Sequence, residues 1–283
     1  MISADRSNTT GPIINIEVLK NGFPKYYGCL SHDELQPYKI ILCSGLIEKK
    51  EELLEKIILV YSTKLIIIKN INANISKYKL NYDDINYITL EGMPDPYCIT
   101  IDYKYDLKER VFCNAEAFDL VYELIRDLRK KILNSISLEE REDYSDIAFS
   151  DMEEKKYPGA SIARASVLEQ DSVLCSLKQR RIFDHPGLVF RKFITKTHFT
   201  LVCKKEIIIF FEKINSRINN NFSGDLIHIP LKALKNVSLE ATGKGMILKF
   251  LFNTDKKLEL FYDNDRTDQL LKIMSYINSM ITR

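Results

Sequence analysis

The densest run of chemistry-bearing side chains lies between residues 178 and 205. Lys178, Arg180, Arg181, Arg191, Lys192, Lys196, Lys204 and Lys205 stand there against one acid, Asp184. Cations at that density suit an anionic partner, whether an acidic protein segment or a lipid headgroup. Phe190, Phe193 and Phe199 are interleaved with them, but at spacings that fit the apolar side of strands. The corresponding earlier stretch is close to neutral, because Glu48, Glu51, Glu52 and Glu55 offset Lys49, Lys50, Lys56 and Lys64. Just upstream, residues 137–154 (SLEEREDYSDIAFSDMEE) carry eight acids against Arg141 alone. That segment reads as a solvated spacer. A sharper reading makes Glu139, Glu140, Glu142 and Asp143 an internal competitor, tethered beside the basic run at an effective concentration on the order of millimolar.

No other constellation points to chemistry. The four histidines, His32, His185, His198 and His228, are scattered, and none stands at a metal-ligand spacing with Cys or Glu. Neither G-x-S-x-G nor H-E-x-x-H occurs. Gly243-Lys244-Gly245 is a turn between strands and lacks the further glycines and the helix of a phosphate loop. Asp83-Asp84 falls where a strand begins and is read as solvated. The six cysteines, with no C-x-x-C pair, are read as small core hydrophobes in a reducing cytosol. The expectation is a protein that is not an enzyme and has no cofactor or metal.

The elements that must position the basic run are built twice. Leu201–Phe210, LVCKKEIIIF, repeats the pattern of Leu59–Ile68, LVYSTKLIII, and both predict a hairpin of two apolar strands around a polar turn. Downstream the copies stay in register at a shift of 149 residues. Ile85, Ile88 and Leu90 meet Leu234, Val237 and Leu239, and Ile99, Ile101 and Tyr103 meet Leu248, Phe250 and Phe252. Alternating apolar residues then give way to a helical period at the same point in both. The first helix, capped at Asn114, carries the stripe Phe118, Val121, Ile125, Leu128 and Ile132, and the second Leu270, Met274, Ile277 and Ile281. Upstream, Ile41-Leu42-Cys43-Ser44 and Val173-Leu174-Cys175-Ser176 predict an opening strand for each copy.

A chain of 283 residues with 45% hydrophobic content fits two domains, each with a core. The division is an N-terminal arm (1–36), a first domain (37–134), an acidic linker (135–165) and a second domain (166–283). In the arm, Ile13–Leu19 predicts a strand or an extended segment. In the linker, Ser137 with Glu140 fits a capping box, and Tyr157-Pro158-Gly159 breaks the pattern. The fold class is mainly β with C-terminal helices.

An opening strand, a hairpin of the type L-V-x-x-K-x-I-I-I, a strand ending D-D-I-N-Y-I-T-L-E or K-A-L-K-N-V-S-L-E, further strands and one helix together resemble the bacterial pleckstrin-homology-like (PH-like) domains, related in pattern to GRAM domains. The resemblance covers roughly 200 of the 283 residues. It implies two tandem PH-like domains, each a bent antiparallel sheet or partly open barrel of about seven strands capped by its helix, and a non-catalytic adaptor role. The hairpin turns Ser62-Thr63-Lys64 and Lys204-Lys205-Glu206 depart from the Thr, Asp/Asn, Lys-Arg pattern common in the family.

The first expected partner is a protein segment or other anionic partner at the basic hairpin region of the second domain. The alternative is an anionic membrane surface. About 1 kcal/mol per cation, with half the cations facing one way, gives about 4 kcal/mol, or millimolar binding. Nucleic acid is disfavoured by a net charge of only +2. No apolar run approaches the ~20 residues needed to span a bilayer, so the expected location is cytoplasmic, with membrane-peripheral recruitment as the variant.

Overall fold

The computed structural model describes residues 13–43, 47–48, 51–52, 56–71, 74–93, 98–104, 107–112, 118–134, 149–150, 158–184, 192–213 and 223–281. The first half contains strand β1 (Ile13–Ile14), helices α1 (Ile16–Gly22) and α2 (Pro24–Tyr27), and strands β2 (Lys39–Cys43), β3 (Ile47–Glu48), β4 (Glu51–Glu52), β5 (Lys56–Val60), β6 (Lys64–Ile71), β7 (Asn74–Asn81), β8 (Ile85–Met93), β9 (Cys98–Tyr103) and β10 (Leu107–Phe112). Helix α3 (Phe118–Asn134) closes it. The second half has β11 (Phe149–Ser150), helix α4 (Pro158–Ala165), then β12 (Val173–Gln179), β13 (Ile182–Asp184), β14 (Lys192–Thr195), β15 (His198–Cys203), β16 (Glu206–Glu212), β17 (Gly224–Pro230), β18 (Leu234–Thr242), β19 (Gly245–Phe252), β20 (Lys257–Tyr262) and helix α5 (Thr267–Ile281). The protein is mainly β.

The order of elements repeats. Strands β2 and β5 to β10 with α3 answer β12 and β15 to β20 with α5, and each copy has a short extra hairpin after its first strand. A 3-10 turn, Tyr82–Asp84 or Leu231–Ala233, follows the fourth long strand of each copy. The sheets cut across this repetition. One has the order β1-β2-β5-β6-β7, a second β18-β19-β20, and the largest β10-β9-β8-β17-β16-β15-β12-β11. The largest is therefore assembled from the last three strands of the first half and five of the second, β11, β12 and β15 to β17. Pairing is antiparallel throughout these three sheets except for β11 with β12. None of the sheets closes into a barrel.

The apolar runs of β5, β6, β15 and β16 are buried on both faces, which is why they are nearly continuous where a half-buried strand would alternate. One face of β5 and β6 (Ile58, Val60, Leu65, Ile67) joins the core under α3, and the other (Ile57, Leu59, Ile66, Ile68) packs on Leu19 and Tyr26 of the N-terminal arm. The second half repeats this device. Val202, Ile207 and Ile209 face the core under α5, while Phe199, Leu201, Ile208 and Phe210 join Ala160 and Ala163 of α4 and the α3 core of the first half. Each half thus has a helical cover supplied by the chain that precedes it.

Two local expectations are corrected. Ile13–Leu19 is a two-residue strand paired with Ile40 and Ile41, followed at once by a helix that Asn15 caps through Val18 N (2.8 Å). Pro158-Gly159 starts a helix where the sequence suggested a break. Proline at the first helical position gives up an N–H that would be unsatisfied anyway. Gly159 is buried against two aromatic rings, where a Cβ would stand 2.7 Å from Phe199 and 2.8 Å from Phe210. Replacing Gly159 by Val is expected to push α4 off β15 and β16 at a cost of about 2 to 3 kcal/mol, read as a lowered urea midpoint; an unchanged midpoint would refute this close packing.

The arm is fastened by Glu34, whose side chain is 0% exposed and accepts from Lys77 (2.8 Å), Lys79 (2.7 Å) and Ser31 N (3.0 Å). Burial works against its charge, but the bonds from the two lysines and Ser31 outweigh it and hold the carboxyl far below the usual range. Both helix stripes expected from the sequence lie inward where described: Ile125, Leu128 and Ile132 on α3, Leu270 and Ile277 on α5 are buried. Cys98, Cys175 and Cys203 are free and buried in strands, with the Cys98 thiol raised by burial to about 11 and that of Cys175 to about 12. The residues at Asn114, Ser137 and Glu140 lie outside the described ones. Among the described residues no helix is long and apolar enough to cross a membrane.

Candidate functional site

The basic residues do not share one surface. β15, of six residues, separates Lys196 from Lys204 and Lys205 by roughly 20 Å of extended chain. At the far end, the Lys204 and Lys205 N–H groups bond to Asp171 (3.1 and 3.4 Å), which also takes the N–H of Ser172 (2.8 Å). Burial raises the Asp171 carboxyl and the three N–H bonds only partly offset it. That turn is organised by Asp171.

At the near end, Arg180 is exposed directly after β12, with half-buried Arg181 beside it, whose N–H donates to Thr197 Oγ1 (3.2 Å). Lys196 is half-buried in the turn between β14 and β15, and its carbonyl faces His198 Nδ1 at 3.1 Å. Lys192 stands opposite Asp184 in the β13–β14 ladder. Lys178 is only 8% exposed and belongs to the strand's buried length. The cations whose described side chains come together are therefore Arg180, Arg181 and Lys196. Acids stand nearby as well. Glu212 follows from the adjoining strand, its N–H on Thr197 O (2.9 Å), and Asp263 accepts from Gln179 (2.9 Å). Arg191, His185, Phe190 and the acidic residues Glu139, Glu140, Glu142 and Asp143 lie outside the described residues.

A second concentration of charge, with no signal in the sequence, sits where the halves meet. β8 and β17 pair from Ile88↔His228 to Met93↔Gly224, so the edge of one half is completed by the other. Gly224 lets β17 pack closely on β16, because a Cβ there would stand 2.3 Å from both the Phe210 ring and Phe211 O. Around the joint Lys256 donates to Asp102 (2.9 Å), Thr254 to Asn86 (3.1 Å) and Asp225 accepts from Gly92 N (3.1 Å). Asp83, expected to be merely solvated, pairs with Lys232, its own repeat counterpart.

At the centre of the joint Arg129 of α3 is 5% exposed, Glu206 of β16 1% and His228 of β17 2%. The Arg129 guanidinium forks onto both Glu206 carboxylate oxygens, Nε at 3.2 Å, and its third donor reaches Ser166 O at 2.8 Å. Burial alone would raise the Glu206 carboxyl, but Arg129 and His228 outweigh it and hold it low. His228 lies 3.7 Å from Glu206, and neither ring nitrogen has a hydrogen-bond partner among the described residues. Burial and the Arg129 cation together depress its pKa to about 4, so it is neutral at pH 7. A cleft of about 200 Å³ beside this cluster is lined by Leu90, Tyr122, Ile125, Arg126, Arg129 and Ser166, among others.

This centre locks the halves together; its cation and anion are already bonded to each other. Among the described residues no group of three or more His, Cys, Asp or Glu side chains is placed to hold a metal ion. Compared with known proteins, the chain matches no family model and no curated protein.

Proposed function

We propose that the chain is a non-catalytic binding module of two PH-like domains, which takes an acidic segment of a partner protein at the near basic end of the second. The twice-repeated order of seven strands and a closing helix supports the PH-like reading. The observation that carries the binding site is the exposed Arg180 at the end of β12, with Arg181 and Lys196 beside it. Three cations at about 1 kcal/mol each give an attraction to an anionic bilayer weaker than about millimolar. A peptide adds hydrogen bonds and shape to the same charge, and so is favoured over a membrane.

The test uses a labelled peptide copying residues 137–146, the acidic stretch of the chain itself. Replacing Arg180 and Lys196 by Glu in the full chain is expected to weaken its binding by at least about 10-fold, the equivalent of about 1.4 kcal/mol. Neutralising Glu139, Glu140, Glu142 and Asp143 to their amides is expected to strengthen it, because the tethered competitor is removed. Binding indifferent to the charge reversal sinks the assignment, and indifference to the neutralisation sinks the competitor alone. Co-sedimentation with anionic vesicles but no peptide binding would move the site to the membrane.

A further inference from the structure

The edge used in the joint has a counterpart elsewhere in the molecule. β8 receives β17, and the strand 149 residues on from β8 is β18, which is the edge of its sheet. Ile88 of β8 stands opposite His228, and its counterpart is Val237. Both outward groups of Val237 are held by one side chain. Its N–H donates to Asn278 Oδ1 (2.8 Å), and Asn278 Nδ2 donates to its carbonyl (2.7 Å). A primary amide offers a donor and an acceptor as a peptide unit does, so Asn278 stands against β18 as a neighbouring strand would.

Position 278 on α5 is the counterpart of 129 on α3. In the first half Arg129 reaches Glu206 and Ser166, leaving the edge of β8 to β17. The correspondence extends along the helix. Tyr122 and Ile125, which with Arg129 line the cleft at the joint, have Leu271 and Met274 as counterparts. Leu271, Met274 and Asn278 are spaced to share one helix face, and Leu271, at 43%, is among the exposed large hydrophobic residues.

We propose that the groove between β18 and α5 is a strand-accepting site for an extended peptide with uncharged side chains at alternate positions, closed in the free chain by Asn278. The pattern of the occupant follows from the strand that fills the equivalent groove. In β17, Leu226 and His228 are two residues apart and are 0% and 2% exposed under the first half. A second copy of the chain is a poor occupant. β7, the counterpart of β17, carries Lys77 and Lys79 at those two positions, both fastened to Glu34, and charged lysines blunt an edge. A peptide strand would exchange the two bonds of Asn278 for a ladder along Val237, Leu239 and Ala241, whose backbone groups share one direction.

The experiment measures fluorescence anisotropy of a labelled peptide copying residues 223–230 with the full chain and its variants. Removing a competitor worth about 1 kcal/mol of hydrogen bonding predicts roughly 5-fold tighter binding to Asn278→Ala than to wild type. Adding Ala241→Pro removes one outward N–H at an exposed edge position that tolerates proline, and is expected to weaken binding at least about 10-fold. Absence of binding to Asn278→Ala overturns the proposal. So does binding unaffected by Ala241→Pro, which would mean that the peptide has invaded β8, and so does self-association of Asn278→Ala in place of peptide binding. Should Asn278→Ala fail to fold, wild type with and without Ala241→Pro gives the same comparison.

Discussion

Arg129→Ala is expected to destabilise the protein by about 3 to 5 kcal/mol, because it leaves the Glu206 carboxylate buried and unpaired. The guanidinium also satisfies Ser166 O, so the loss includes an orphaned carbonyl at the point where α4 leads into the second half. The charge pair itself is not the source of net stability. Its bonds repay desolvation and fix which edge meets which. Arg129→Met combined with Glu206→Leu is therefore expected to recover most of the loss, since no uncompensated charge remains. Urea unfolding of wild type, Arg129→Met, Glu206→Leu and the double variant closes a thermodynamic cycle. A loss under about 1 kcal/mol for Arg129→Ala, or a double variant no better than either single, would refute the role of this pair as the lock between the halves.

Acid is expected to weaken the fold well before its carboxylates titrate. His198 and His228 are 0% and 2% exposed. His198 lies between Phe211 and Tyr262, with ring centroids at 5.4 and 4.9 Å. Burial lowers its pKa to about 4, as burial and Arg129 do for His228, from an ordinary 6.5. In the window between those values the unfolded chain binds the protons and the folded chain refuses them. Stability is thus full above pH 6.5 and falls as pH drops towards 4. By pH 5 the two rings together cost on the order of 4 kcal/mol relative to pH 7. Asp171, with its raised carboxyl, contributes in the opposite direction and reduces the slope. Denaturation midpoints at pH 7 and pH 5 test this. His198→Phe and His228→Leu should each remove about half of the difference, and a wild-type midpoint that does not move between the two pH values would refute it.

The repetition was legible because it is written in local periods: the two hairpins share one pattern, and the apolar strands that follow and the helix stripes, with Leu128 answered by Ile277, recur at one shift. The joint was not. Leu90 pairs with Leu226 across nearly half of the chain, and nothing local distinguishes an apolar residue bound for its own core from one bound for another half. The continuous apolar runs at 65–68 and 207–210 did hold a signal, since a strand covered on one face would alternate. Their second cover had to come from somewhere, and it came from the arm and from α4. Pro158-Gly159 hid that second cover, because the same dipeptide opens a helix when the glycine packs under rings. The basic run was misleading for a geometric reason. Residues close in sequence lie at opposite ends once a six-residue strand runs between them, so Lys204 and Lys205 part from Arg180 and Lys196. The buried histidines gave no sign, as their chemistry is set by burial and, for His228, by Arg129 from the other half.

The joint between β8 and β17 also sets a timetable for synthesis. β8 leaves the ribosome about 140 residues before β17 is complete, which at 5 to 20 residues per second is roughly 7 to 28 seconds. During that interval the first half carries a bare ladder edge and Arg129 waits without its carboxylate. The nascent chain is then open to any strand that reaches it first. A rare-codon cluster within residues 135–230 would lengthen that exposure, and the yield of properly joined protein should fall with it.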